Sequence, residues 1–206
     1  MPRAKAVVFD QDGTLINTFI PAMHAYSVAV GREITYEQLK PVAHLGAARN
    51  LVSALLGHEA SDADDDRFHD ALREAVGGIH PYTGVVELLA HLRERGVPVA
   101  VATNSDSRSA GIVLGTHGLD AYVQSVATVD RVGVPKPAPD LLLLASEELG
   151  VAPSEVAFVG DSPADMAAAR AADAYAVVAG WGQQVADITD YDFWAVAPRD
   201  VLTLLG

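Results

Sequence analysis

The chain of 206 residues has no cysteine, few lysines and no long apolar run. Without cysteine, disulfides, thiolate metal sites and cysteine nucleophiles are all excluded. No uncharged apolar stretch reaches the roughly 18 residues of a membrane span, so the sequence predicts no transmembrane helix. The first apolar run ends at Asp10, which makes it too short for the hydrophobic core of a signal peptide. We therefore expect a cytoplasmic protein.

Acidic residues outnumber basic ones, and the formal net charge is -13. Such a charge repels the phosphates of nucleic acid, so we do not expect nucleic acid as a partner. Without a predicted transmembrane helix, we expect no membrane partner either. It still permits a small phosphorylated metabolite, provided that a local cation offsets the charge. Half of the residues are hydrophobic, and the length is typical of one domain with a small insertion. We expect a monomer or a homodimer.

Four short runs rich in valine and alanine lack polar alternation, which is typical of parallel strands covered on both faces. Helical patterns lie between them, and the pattern over 139–150 has a proline near its start and a glycine at its end. Strands that alternate with helices predict an α/β fold with a doubly wound parallel sheet. The predicted strands are 6–9, 97–103, 156–160 and 174–180, and the predicted helices are 84–96, 139–150 and 162–172.

One long segment after the first strand interrupts this alternation, because it contains helical patterns and no convincing strand. Thr35 and Gln38 have the spacing of a capping box at a helix start. In the rest of the chain, Ser162 is a candidate N-cap and Pro163 follows at the first helical position, as is typical of a helix start. The predicted division is an all-helical insertion over 17–82 and a core made of 1–16 and 83–206.

Polar side chains follow three of the four predicted strands, at the edge where open parallel sheets bind ligands. Two carboxylates about 4 Å apart repel each other by about 4 kcal/mol at an effective dielectric near 20. Several acids at one edge therefore require a cation, and an all-oxygen ligand set favours magnesium over zinc. The polar residues are Asp10 and Asp12 after the first strand, Thr103 and Asn104 at the second, and Asp161 with Asp165 at the third.

These positions belong to four motifs that together resemble those of the haloacid dehalogenase superfamily of aspartate-nucleophile phosphohydrolases. The motifs occur in the family's order, and the resemblance covers 5–16 and 84–206. The chain is most similar to the phosphoglycolate-phosphatase branch, which implies a Rossmann-like core with a small helical cap where the insertion lies. The motifs are DQDGT at 10–14, ATNS at 102–105, KPAPD at 136–140 and GDSPAD at 160–165.

The resemblance implies a role for each motif residue, with Mg²⁺ as the cofactor. Asp10 would attack phosphorus and form an aspartyl-phosphate, while Asp12 would protonate the leaving oxygen and then activate water. Thr103 and Asn104 would bind the phosphoryl group, and Lys136 would neutralise its developing charge. The implied metal ligands are Asp10, the backbone carbonyl of Asp12, Asp161 and, through water, Asp165, which alternatively orients Lys136.

Three positions depart from the family's pattern. Gln11 replaces an apolar residue between the two acids, and we expect its side chain to point away from the nucleophile. Asn17 and Thr18 stand where an acid followed by serine or threonine is common, which affects the cap hinge. Asp173 stands where glycine is common. None of these positions belongs to the catalytic set.

The predicted cap must supply substrate specificity. In the run HLGAARN, the residues Gly46, Arg49 and Asn50 are candidates for contact with the leaving group. Arg49 is the substrate-binding residue that this pattern predicts. An ordinary solvent-facing arginine on a cap helix explains the same residue equally well.

The leading functional hypothesis is a magnesium-dependent phosphomonoesterase acting on a small phosphorylated metabolite. A sugar phosphomutase similar to β-phosphoglucomutase uses the same nucleophile, and the spacing of Gly46 and Arg49 is similar to that of mutases. A catalytically silent relative that binds a phosphorylated ligand or a protein is the third alternative. A phosphonatase would need a cap lysine, and the surroundings of Lys40 do not resemble that motif.

Overall fold

A six-stranded, fully parallel sheet forms the centre of the computed structural model, which describes residues 4–205. Its strands are β1 (Ala6–Phe9), β2 (Val99–Thr103), β3 (Ser125–Thr128), β4 (Val156–Gly160), β5 (Tyr175–Ala179) and β6 (Phe193–Ala195). Their order is β3-β2-β1-β4-β5-β6, and every neighbouring pair is parallel. The strand order reverses beside β1, and ligands bind at the carboxyl ends of strands around such a point.

The predicted fold class is confirmed, and four of the strands coincide with the predicted apolar runs. The sequence pattern misses the two edge strands. β3 begins with Ser125 and ends with Thr128, and β6 has only three residues, so neither forms a continuous apolar run. These segments become strands because β2 and β5 present backbone edges on which they pair.

Helices cover both faces of the sheet and fill the segment after β1. Residues 19–76 hold the first four α-helices and a 3₁₀ segment, and no strand. None of the helices in residues 4–205 is long and apolar enough to cross a membrane. The helices are α1 (Phe19–Val30), α2 (Tyr36–Leu39), α3 (Ala48–Leu56), α4 (Asp62–Val76), α5 (Val85–Glu94), α6 (Ser107–Thr116), α7 (Val129–Val132), α8 (Asp140–Leu149) and α9 (Pro163–Ala171).

The two connections through which the chain enters and leaves this helical segment lie side by side. Ile16 forms an antiparallel bridge with Pro81, and the N–H of Tyr82 donates to the carbonyl of Leu15 at 3.0 Å. This pairing holds the two connections together where they join helices α1–α4. We call these four helices and the residues between them the cap. The boundaries of the cap at 17 and 82 stay a prediction.

Alternate side chains of β1 enter the two apolar layers on opposite faces of the sheet. Ala6 and Val8 pack with residues of α8 and α9, whereas Val7 and Phe9 pack with residues of α5. All four side chains are fully buried, and burying each valine or phenylalanine contributes roughly 1.5–3 kcal/mol. A third apolar cluster lies within the cap and includes residues of α6, so α6 is the core element on which the cap packs.

Candidate active site

The carboxyl ends of β1, β2 and β4 and the inner face of the cap enclose a cavity of about 590 Å³. We call it the site cavity. Most of the side chains predicted for the site line it, and Arg49 does not. The predicted residues that line it are Asp10, Asp12, Thr103, Asn104, Lys136, Asp161 and Asp165.

The ammonium group of Lys136 occupies the centre of the site. Its Nζ lies 2.5 Å from Oδ1 of Asp10 and 2.7 Å from Oδ1 of Asp165, and it donates to the carbonyl of Ala102 at 3.1 Å. Lys136 and Asp10 are each 6% exposed and Asp165 is 1% exposed. A buried ammonium group needs such partners, because an unpaired charge is costly away from water.

Asn104 holds the backbone of Lys136. Its Oδ1 accepts from the N–H of Lys136 at 2.7 Å, and its Nδ2 donates to the carbonyl of the same residue at 3.4 Å. The amide of Asn104 thus fixes the loop that carries the lysine. Its contact with a phosphoryl group stays a prediction.

Asp161 is held by two loops that converge on its carboxylate. Oδ2 accepts from the N–H groups of Gln183 (2.9 Å) and Gln184 (3.2 Å), which follow β5, and Oδ1 lies 3.4 Å from the hydroxyl of Thr14. Gly13 has a φ of 95°, and a Cβ there would lie 2.5 Å from Asp161 Oδ2. Glycine is therefore required at position 13 by its backbone conformation and by this close approach.

The buried acids form a group that fits a divalent cation. Asp10, Asp161 and Asp165 each bring a carboxylate oxygen within 4.8 Å of the others. Together with the ammonium of Lys136, three carboxylates leave a formal charge of −2, which one divalent cation neutralises. The donor set is all oxygen, as Mg²⁺ prefers.

Burial and the charges of their neighbours shift the pKa values of these groups. Burial raises the pKa of Asp10 well above its usual range, Lys136 opposes the rise, and the neighbouring carboxylates add to it. Burial likewise raises the pKa of Asp161, and Asp165 adds to that rise. Burial lowers the pKa of Lys136, but the two acids in contact with it outweigh burial and raise the net pKa, so the lysine stays protonated.

Asp12 lies beside this cluster and is held by uncharged donors. The hydroxyl of Thr18 donates to Oδ1 at 2.5 Å and the hydroxyl of Ser105 donates to Oδ2 at 3.0 Å, while Thr103 Oγ1 lies 3.5 Å from Oδ2. Nε2 of Gln11, which is fully buried, lies 3.2 Å from each carboxylate oxygen. The sequence motifs do not indicate that Thr18, Ser105 and Gln11 converge on this acid.

Arg49 is turned away from the site cavity. Its guanidinium group forms an ion pair with Asp62 at 2.8 Å and donates to the carbonyl of Ala60 at 2.9 Å. Ala48 and Leu51 of α3 line the cavity, and Arg49, one position after Ala48, lies about 100° around the helix from it. The predicted contact between Arg49 and the substrate is thus not supported by its position.

Asp106, at the start of α6, links the core to the cap. Its Oδ2 accepts from the N–H of Ala48 at 3.1 Å, and its Oδ1 lies 3.2 Å from Nε2 of His69. Nδ1 of His69 lies 2.8 Å from the carbonyl of Asp65, so both ring nitrogens face acceptors. His69 is 2% exposed, and this environment suits the doubly protonated imidazolium form.

The pKa values of both partners respond to this contact. Burial alone lowers the pKa of His69, but the hydrogen bonds to Asp106 and to the Asp65 carbonyl outweigh burial, and the net pKa is raised. Burial alone raises the pKa of Asp106, but hydrogen bonds from His69 and two backbone N–H groups outweigh it, and the net pKa is lowered. The ion pair between cap and core is thus favoured in the folded protein. Arg108 adds a more exposed pair with Asp66 at 2.7 Å.

We expect this pair to make the stability of the protein depend on pH. A raised histidine pKa stabilises the fold fully below the unfolded value of about 6.5, and the contribution disappears as the pH rises through the folded pKa. A lowered aspartate pKa stabilises fully above about 3.9. A His69→Gln variant should therefore lose about 2 kcal/mol of unfolding free energy between about pH 4 and 6.5, and less at higher pH. Urea unfolding at several pH values measures this.

The matched control for this experiment is His24→Gln, because His24 is exposed on α1. It should differ little from the wild type at every pH. A stability loss in His69→Gln that is the same at pH 5 and pH 8 would contradict a charged His69–Asp106 pair.

The fold and this site define an α/β protein whose chemistry lies beyond the carboxyl ends of its parallel strands. The chain matches the haloacid dehalogenase-like hydrolase family over residues 4–173, and it belongs to this family. The family predicted from the motifs is thereby confirmed, as is the assignment to the enzymes.

Curated relatives place the chain among phosphatases of this family. It is 34% identical over 176 residues to the N-acetylmuramic acid 6-phosphate phosphatase of Pseudomonas aeruginosa, an alignment that covers 82% of this chain and 78% of the relative. It is 32% identical over 207 residues to the phosphoglycolate phosphatase of Thiobacillus denitrificans, covering 94% and 91% of the two chains. The predicted similarity to the phosphoglycolate-phosphatase branch is confirmed.

Among solved structures, CbbY from Rhodobacter sphaeroides in complex with phosphate superposes with a TM-score of 0.84. The match covers 98% of this chain and 99% of that protein, at 19% sequence identity. This similarity concerns the fold alone.

Proposed function

We propose that this protein is a magnesium-dependent phosphomonoesterase that hydrolyses a small phosphorylated metabolite through an aspartyl-phosphate on Asp10. The observation that carries the proposal is the buried contact of Asp10 and Asp165 with Lys136, next to Asp161. An apolar core would stabilise the fold better than this cluster does, since buried ion pairs add little net stability. The cluster therefore points to a function. It is suited to hold a phosphoryl group and a cation at the end of β1.

Each residue has a chemical task in this proposal. One carboxylate oxygen of Asp10 is bound to the lysine, and the other attacks phosphorus. Asp12 gives a proton to the leaving oxygen and later takes one from the water that hydrolyses the aspartyl-phosphate. Lys136 neutralises the charge that develops on the phosphoryl oxygens, and the Thr103 hydroxyl donates to them.

Asp10, Asp161, the backbone carbonyl of Asp12 and, through water, Asp165 would hold Mg²⁺ in this proposal. When bound there, the ion supplies charge neutralisation for the phosphoryl group and for the carboxylates around it. The chain's own residues bind the phosphoryl group, position the nucleophile and move the protons.

Metal-dependent release of phosphate tests this proposal. We expect p-nitrophenyl phosphate and a panel of alkyl and sugar monophosphates to release phosphate with Mg²⁺, and release to fall at least about 100-fold when EDTA removes the metal. A malachite-green assay measures it. No release from any ester in Mg²⁺ would contradict the proposal, and bound metal without turnover would favour a silent relative.

A sugar phosphomutase is the nearest alternative, and it would require a bisphosphate activator and release little free phosphate. The sequence feature behind this alternative is the spacing of Gly46 and Arg49, and Arg49 is engaged with Asp62 outside the site cavity. Addition of a sugar bisphosphate to the same assay distinguishes the two, because only a mutase would then convert a sugar monophosphate without releasing phosphate.

A further inference from the structure

The cap side of the site cavity is mainly apolar. Side chains of α1, α3 and α4 face the cluster around Lys136, and two of them, Tyr26 and Phe68, have ring centroids 4.6 Å apart. Tyr26 and Phe68 are almost fully buried. The residues that form this apolar wall are Phe19, Ala22, Tyr26, Leu51, Phe68 and Leu72.

Positive charge is scarce along the same cavity. Among the described residues that line it, Lys136 is the only lysine or arginine, and its charge is already compensated by two buried acids. His44 is the one histidine in that lining and is exposed to solvent. Two nearby arginines are engaged elsewhere, Arg49 with Asp62 and Arg108 with Asp66.

A second anionic group on the substrate would therefore meet no lysine or arginine in the lining other than Lys136. It would lie between the apolar wall and the carboxylates of Asp12 and Asp106, which also line the cavity. An unpaired charge in such a place is costly, because its lost hydration is not replaced. A carboxylate and a second phosphate on the leaving group are both disfavoured by this arrangement.

The size of the cavity favours a large apolar leaving group over a small one. Its volume of about 590 Å³ is within the range of about 300–1,000 Å³ for pockets that hold drug-sized ligands. A leaving group of two carbon atoms would leave most of the apolar wall without contact. The methylene groups of a larger apolar leaving group would themselves leave water against that wall, at a gain of roughly 0.8 kcal/mol per buried methylene.

We propose that the substrate is a monophosphate ester whose leaving group is an uncharged, mainly apolar alcohol with more than two carbon atoms. This inference rests on the proposed phosphomonoesterase function and narrows it. It separates this chain from relatives named for phosphoglycolate, whose leaving group carries a carboxylate, although the catalytic cluster serves the same reaction class.

Two matched substrate pairs test the inference on the wild-type protein with Mg²⁺. Ethyl and hexyl phosphate differ in apolar length and have leaving groups of similar basicity, and we expect kcat/KM to be at least about tenfold higher for hexyl phosphate. 2-Hydroxyethyl phosphate and 2-phosphoglycolate differ in the charge at the distal carbon, and we expect at least about a tenfold preference for the uncharged ester.

A variant of the apolar wall tests the charge argument from the protein side. Ala22 is half-buried on α1 and lines the cavity. Ala22→Lys should raise kcat/KM for 2-phosphoglycolate by up to about fivefold, through a partly buried ion pair, and lower it for hexyl phosphate. Ala22→Met is the matched control of similar length without charge, and it should not raise kcat/KM for 2-phosphoglycolate.

The outcomes separate this inference from the proposed function. A wild-type preference for 2-phosphoglycolate or for a sugar bisphosphate would overturn the apolar leaving group while leaving the phosphomonoesterase intact. Absence of release from every ester, p-nitrophenyl phosphate included, would overturn both. The substrate pairs need no variant, so a folding defect at position 22 does not affect their result.

Discussion

Asp10→Asn should abolish phosphate release, with a loss of kcat of about 10⁴-fold or more. The amide nitrogen and oxygen of asparagine cannot replace the carboxylate as a nucleophile, and no second acid occupies the same position at the end of β1. The contact with Lys136 weakens, but Asp165 still accepts from that ammonium group. A single-turnover phosphate assay compares the variant with the wild type.

The same substitution should not reduce stability when EDTA is present. It removes one of three buried carboxylates around a single lysine, so the formal charge of the cluster falls from −2 to −1. The control is Asp173→Asn, because Asp173 is exposed and has a φ of 60° that asparagine adopts readily. The control should retain full activity. Turnover of Asp10→Asn within about tenfold of the wild type would show that Asp10 is not the nucleophile.

Lys136→Met should lower kcat/KM by roughly 10²–10³-fold, because it removes the fixed positive charge that faces the phosphoryl oxygens. It also leaves Asp10, Asp161 and Asp165 buried without a counter-charge. Loss of one partner from a buried charged pair typically costs about 3–5 kcal/mol. We therefore expect the unfolding free energy to fall by about that amount in EDTA.

Mg²⁺ should restore much of this stability, since the ion replaces the missing positive charge. Urea unfolding in EDTA and in saturating Mg²⁺ measures the difference for each protein. Lys40→Met is the control, because Lys40 is exposed on the cap, and it should show the wild-type response to the ion. Equal stability of Lys136→Met and wild type in EDTA would argue against a charged lysine at the centre of the cluster.

Local sequence was sufficient to predict the strands whose residues are apolar because both faces of the strand are buried. β1, β2, β4 and β5 are covered on both faces, so nearly every residue is apolar and the runs are visible without knowledge of their neighbours. Helix starts are similarly local. The hydroxyl of Ser162 accepts from the N–H of Asp165, and Thr35 with Gln38 forms the capping box that the spacing predicts.

The motif residues could be assigned to one edge because all parallel strands present their carboxyl ends there. Their separate partners could not be assigned. Gln183 and Gln184 reach Asp161 only because β5 lies next to β4, and no short segment of the sequence specifies the strand order. Gln11 illustrates a second difficulty, because its contact with Asp12 depends on the turn that the chain makes after β1.

Cap residues were the hardest to interpret from sequence. Leu51 and Phe68 have the helical spacing of ordinary core residues, and a side chain that lines a cavity follows the same period as one that fills a core. Only the rotation of α3 about its axis shows that Arg49 contacts Asp62 and does not face the site cavity. His69 meets Asp106 across 37 positions of chain.

The sequence by itself determined the parallel α/β fold, the family and the acids and lysine at the end of β1, because strand burial and motif spacing are properties of contiguous residues. The tertiary structure alone decided which groups hold Asp12 and Asp161, how the cap is fastened to the core, and that the wall facing Lys136 is apolar. Those features arise where separate segments meet. Their geometry depends on strand order and helix rotation, which packing of the whole chain fixes.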